Sequence, residues 1–184
     1  MFLNVKERGD CVATFRWIEV RLMEMLAAWV PTTPEMEVKL VFGAHVWDAA
    51  QHADALGRRT QELRLPLHHS LAPSAEYVGL LSELAATSET GRRIAGFYDC
   101  VLPGLEGSLR DYLERVDPLL DGPTVRILER IMSETARMVD ESRKLREELP
   151  AVQLDDAAWL DGLRRRQASL TAAIPVLAQQ AARA

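Results

Sequence analysis

Six side chains in this 184-residue sequence interrupt apolar helical stripes with groups that can carry or move a proton. Glu19 lies between Phe15 and Leu22. His45, Asp48 and His52 share a stripe with Val38, Val41 and Leu56. Glu106 sits beside Leu102 and Leu109, and Glu134 goes with Ile127, Ile131 and Met138. A buried charge is unfavourable unless it is paired or bound to a metal, so acids and histidines on core-facing stripes are the informative ones. Three chemistries suit them. His45 could act as acid or base, oriented by Asp48 or Glu19. His45 with Asp48, or Asp48 with His52, is spaced to chelate one ion from a helix face, and Glu19, Glu106 or Glu134 would complete a set suited to iron or manganese. His45 and His52 stand about 10.5 Å apart along a helix axis, too far to share that ion. The third option is a hydrogen-bonded network that only satisfies its own members.

Long helices must position these groups, and the 3.6-residue period predicts five. The first runs from about Asp10, its N-cap, to Trp29, with Pro31 as a stop. Thr33-Pro34-Glu35 then starts a second that continues to about Leu63. Residues Arg64 to Thr87, with Pro66, the His68-His69 pair and a short apolar helical piece from Tyr77 to Leu84, form a long crossover. The third helix spans about Gly91 to Val116 and should kink near Pro103, which lacks an amide donor. The fourth runs from Thr124 to Leu149, before Pro150, and the fifth from Asp155 to Ala182. The expectation is one all-α domain over residues 1–184, its core at about 10–149 and a C-terminal helix at about 155–182. Trp17, Trp29, Trp47 and Trp159 read as packing anchors, Tyr112 as a core aromatic, and His68-His69 as exposed.

Counting outward from the turns estimates depth. If the first turn centres near Thr32, Glu19 and His45 are equidistant from it. If the second centres near Leu120, so are Glu106 and Glu134. An error of two residues shifts such a level by about 3 Å.

This layout resembles the ferritin-like superfamily, an up-down four-helix bundle with a long crossover between helices two and three. In its carboxylate members two helices each supply one Glu and the other two each supply Glu-x-x-His. Glu19 and Glu106 look like the single acids. The second helix reads Phe42-Gly43-Ala44-His45 and the fourth Glu134-Thr135-Ala136-Arg137, so Phe42 stands for a carboxylate and Arg137 for an imidazole. Arginine keeps its proton and brings positive charge to where a metal would sit. The resemblance therefore implies a degenerate di-metal site. Its vacated space, lined by Phe42, Glu19, His45, Glu106, Glu134 and Arg137, would be a pocket for a small-molecule substrate or ligand. Arg137 would hold an anionic group there, and Tyr98 would offer a hydroxyl. An iron- or manganese-dependent oxidoreductase is one alternative, using Glu19, His45, Asp48, His52, Glu106 and Glu134. The other is an interaction protein that docks through its last helix, beside the Arg164-Arg165-Arg166 run. A two-fold homodimer is compatible with all three.

Acidic residues outnumber basic ones 27 to 22, which argues against a nucleic-acid-binding surface. No uninterrupted apolar stretch reaches the eighteen residues of a membrane span, and the N-terminal residues lack a secretory pattern. Cys11 and Cys100 lie far apart without a pairing pattern, so a reduced cytoplasmic protein is expected. Nucleophile elbows, phosphate-binding glycine loops and zinc cysteine patterns are absent from the sequence.

Overall fold

The computed structural model describes residues 2–169, and among them every regular element is helical. Helix α1 spans Val5–Thr32 and α2 spans Met36–Glu62. Helix α3, Ala75–Ala85, lies in the crossover. The third long segment is composite: α4, Thr90–Gly96, runs through a π turn, Phe97–Val101, into α5, Leu102–Leu113. Helix α6 spans Gly122–Glu148, and α7, Ala157–Ser169, follows a 3₁₀ turn at Pro150–Val152. No helix among the described residues is long and apolar enough to cross a membrane.

Helix α1 begins five residues before Asp10. Asn4 and Glu7 form a capping box, with Glu7 N–H donating to Asn4 Oδ1 at 3.0 Å and Asn4 N–H to Glu7 Oε2 at 2.9 Å. Pro31 does not stop the helix, which continues to Thr32. In the last turn a proline withholds only one bond, and that carbonyl belongs to the exposed Ala27. The Thr33 hydroxyl instead closes the end on the Trp29 carbonyl at 2.9 Å.

Pro103 acts as expected but leaves a π turn where a simple kink was foreseen. It has no amide to give the Asp99 carbonyl four residues back, and Arg164 Nε of α7 donates to that oxygen at 3.3 Å. The Asp99 carboxylate meanwhile takes both arms of Arg146 from α6, at 2.6 and 2.9 Å.

Aromatic side chains join the long segments. Phe15 of α1 meets Tyr112 of α5 edge-on at 5.8 Å, and Trp29 meets Phe97 at 6.2 Å. Phe42 of α2 sits between Trp29 and Tyr98, at 5.6 and 6.5 Å. Trp29 is buried and donates to the Ala85 carbonyl that ends α3. Trp47, expected as an anchor, is 67% exposed on the outer face of α2. Helix α7 buries Leu160, Leu163 and Gln167 on the chain's own core, where a side chain at Gly104 would collide with the Gln167 amide. The apolar residues expected beyond Ser169, among them Leu170, Ile174 and Leu177, lie outside the described residues.

A buried lock closes one end of the molecule. Asp121, wholly buried, accepts from Tyr112 Oη at 2.5 Å, Thr124 Oγ1 at 2.7 Å and Arg59 Nη2 at 2.8 Å. It joins α2, α5 and the start of α6 in one network.

Candidate functional site

Helices α2 and α6 face each other through three polar rungs. His45 Nε2 meets Glu141 Oε2 at 2.8 Å, Arg137 donates to Asp48 Oδ2 at 2.7 Å, and His52 Nε2 meets Glu134 Oε2 at 2.6 Å. Steps of three and four residues along α2 answer steps of four and three back along α6. Antiparallel helices with one shared 3.6-residue period produce this register. His45 and His52 lie on the buried stripe of α2 with Val38, Phe42, Ala49 and Leu56, whereas Asp48 stands at its edge.

The two histidines have different second partners. Tyr98, placed by the π turn, brings its hydroxyl within 2.6 Å of His45 Nδ1. Burial pushes the His45 pKa below the ordinary 6.5, although Glu141 pulls the other way. The bonding pattern then assigns the tautomer. Glu141 is held below the usual carboxylate range because, against burial, its bonds from His45 and Arg137 prevail; being ionised, it can only accept. His45 therefore donates from Nε2 and accepts at Nδ1 from Tyr98, whose own pKa burial drives well above 10.0.

His52 has a carboxylate at each nitrogen, Glu19 at 3.2 Å on Nδ1 and Glu134 at 2.6 Å on Nε2. Burial opposes charge on its ring, but the two carboxylates outweigh it and raise its pKa above 6.5. Once protonated, it donates from both nitrogens, one to each carboxylate. Glu134 is itself held low: against burial, bonds from Arg130, at 3.0 Å, and His52 keep it ionised. Glu19 is nearly fully buried, while the Glu134 side chain is 28% exposed, so the Nε2 edge of His52 is the one turned towards solvent.

A cleft of about 290 Å³ opens beside His52 between α2 and α6. His52, Ala55, Ile127 and Ile131 form its inner wall, and Arg126 and Arg130 stand on its α6 side. An adjoining depression of about 350 Å³ shares Gln51, Ala55 and Arg130 and extends to Arg58 and Arg59.

The structure thus joins Glu19, His45, Asp48, His52, Glu134, Arg137 and Tyr98 in one band, but with partners other than those counted from the sequence. The first hairpin turns at Thr33–Glu35, two residues later than assumed, and each residue of shift moves the facing position by two. Glu19 comes level with Ala49 instead of His45 and reaches His52, less than one turn further on. Glu106 stays outside the band: the buried stripe of α5 is Leu102, Leu105, Leu109 and Tyr112. One residue beyond Leu105 is about 100° round the helix, and there Glu106 pairs with Arg110 at 2.5 Å. Phe42 fills the core between Trp29 and Tyr98, so the space expected beside it holds aromatic packing. Arg137 has both arms engaged, by Asp48 and by Glu141 at 2.8 Å, and so is not free to hold an anionic ligand. His68 is 41% exposed, with a positive φ of 57° in the crossover.

Glu141 and Arg130 escaped the sequence reading. The periodicity of α6 alone does not mark Glu141, which stands in a run of charges from Asp140 to Lys144. Comparing helices would have found it, because 134, 137 and 141 carry the charges that 52, 48 and 45 need at matching intervals.

The donor set does not fit a resident ion. Among the described residues, no three His, Cys, Asp or Glu side chains gather around one point. Glu19 and Glu134 approach His52 from opposite nitrogens, so an ion on either nitrogen would have to displace a carboxylate from its bond. Comparison with family models, with curated proteins and with solved structures found no match for this chain.

Proposed function

We propose that this protein binds a small molecule in the α2–α6 cleft and uses His52, not His45, as its acid–base group. The carrying observation is His52 itself: a buried imidazole, held from both sides by Glu19 and Glu134, on the wall of an open cleft. Glu19, bonded to Nδ1 away from solvent, fixes the ring and balances its charge. A ligand entering the cleft meets the Nε2 edge, where it competes with Glu134 for the proton. His52 can then donate that proton to a bound acceptor, and Glu134 can receive it back. His45, Tyr98, Asp48, Arg137 and Glu141 position α2 against α6 and keep the second histidine neutral.

The same reading keeps the ferritin-like layout and moves its motif. Support comes from four long segments joined by short, long and short connections, and from Glu19, His52 and Glu134 meeting at one level. The three-residue spacing then ends at His52, with Ala49 where a carboxylate would stand. Two buried free cysteines, Cys11 and Cys100, support a reducing, cytoplasmic setting.

A fragment screen followed through the labelled imidazole signals tests the proposal. Binding fragments should shift His52 and leave His45 in place, and His52→Asn should abolish binding while the helical circular dichroism is kept. Fragments that bind the His52→Asn protein equally well would refute it.

A further inference from the structure

We infer, resting on the cleft reading above, that its ligand is an extended monocarboxylate anchored by Arg126. The arginines of the cleft and of the adjoining depression are unequal in what they have left to offer. Arg130 is bonded to Glu134 at 3.0 Å, Arg58 is paired with Asp54 at 2.9 Å, and Arg59 is bonded to Asp121, Thr124 and Glu62. Arg126 lines the cleft, is exposed, and has no carboxylate partner among the described residues. Its planar fork matches a carboxylate through two parallel hydrogen bonds.

The surroundings favour one negative charge and an apolar body. Asp121, the N-cap residue of α6, makes no capping bond, because its carboxylate is turned to Arg59, Tyr112 and Thr124. The first-turn N–H groups of α6, where Pro123 lines the cleft, therefore take no capping bond from Asp121. Glu62 lines the cleft and opposes a second negative charge, which disfavours a phosphate dianion. Between the two ends the wall is Ala55, Ile127 and Ile131. Arg126 precedes Glu134, the partner of His52, by eight residues, about 12 Å along the helix. A ligand that touches both therefore needs an extended chain, and the cleft, at about 290 Å³, lies just below the usual range for ligand pockets, about 300–1,000 Å³.

Octanoate, octanol and inorganic phosphate separate the contributions at constant pH. Binding is read from the His52 imidazole and Ile131 methyl signals of the full chain. Octanoate should shift both saturably, with octanol and phosphate at least tenfold weaker, and Arg126→Gln should weaken octanoate about tenfold without altering the fold. Octanol binding as tightly as octanoate, phosphate binding as tightly, or an unaffected Arg126→Gln protein would each overturn the assignment. If octanoate and octanol shift His52 equally, the cleft reading stands and only the carboxylate anchor falls. If octanoate shifts Ile131 through Arg126 but never His52, the anchor stands and the role of His52 falls. No shift at either residue overturns the anchor.

Discussion

His45 and His52 lie seven residues apart on one buried stripe of α2, yet their surroundings push their pKa values in opposite directions. His45 faces a phenol and one carboxylate, and burial prevails; His52 faces two carboxylates, which outweigh burial. The consequence for stability follows from the direction of each shift. His52, raised above 6.5, contributes stability that is complete below 6.5 and lost as pH rises through its folded pKa. His45, lowered below 6.5, contributes stability that is present above 6.5 and lost as pH falls through its folded pKa. Thermal unfolding between pH 5.5 and 8.5 should therefore show a maximum near neutrality. His52→Asn should flatten the alkaline side of that curve, and His45→Asn the acid side down to where Glu134 and Glu141 begin to protonate.

Glu19→Gln keeps the shape of the site and removes the inner charge. The variant should lose about 1.5–3 kcal/mol, the usual contribution of a hydrogen bond to a charged group, and the His52 pKa should fall. For a chain of this length that corresponds to a drop of very roughly 3–12 °C in Tm. Calorimetry together with a histidine titration checks both. An unchanged His52 pKa would mean that Glu134 alone sets the charge.

Arg137→Ala tests whether the middle rung is an anchor or ornament. Arg137 is 45% exposed, so the stability loss should be small, about 0–1 kcal/mol. The His45 pKa should nonetheless rise, since the cation that opposes its protonation is gone. A fall would contradict the arrangement of charges around Glu141.

At the far end, Tyr112→Phe deletes one of the three hydroxyl or guanidinium donors on Asp121 and should cost about 1–3 kcal/mol, read from urea unfolding. It should leave the His45 and His52 titrations alone, because the lock and the rungs share no residue.

Much of the helix layout was legible because the apolar stripes of α1, α2 and α6 repeat every three to four residues over long runs. Prolines misled where their effect depends on position. Pro31 looks like a stop, but near a helix end it removes only one bond; Pro103 looks like a kink, but its orphaned carbonyl found a donor in α7. The chemistry-bearing residues were legible as polar interruptions, whereas their pairing was not. Pairing doubles any error in the turn, so two residues at Thr33–Glu35 moved Glu19 from the level of His45 to the reach of His52. Glu106 failed through rotation, one residue from the buried Leu105. The cleft itself depends on which side chains stop short of filling the α2–α6 interface, and that is settled only by three-dimensional packing.

The most direct test of the account is the nitrogen spectrum of the imidazole rings in histidine-labelled protein at pH 7, assigned with the His45→Asn and His52→Asn variants. His52 should show two protonated ring nitrogens, and His45 a neutral ring protonated at Nε2 alone. A neutral His52 at that pH would contradict the claim that Glu19 and Glu134 hold a proton donor on the wall of the cleft.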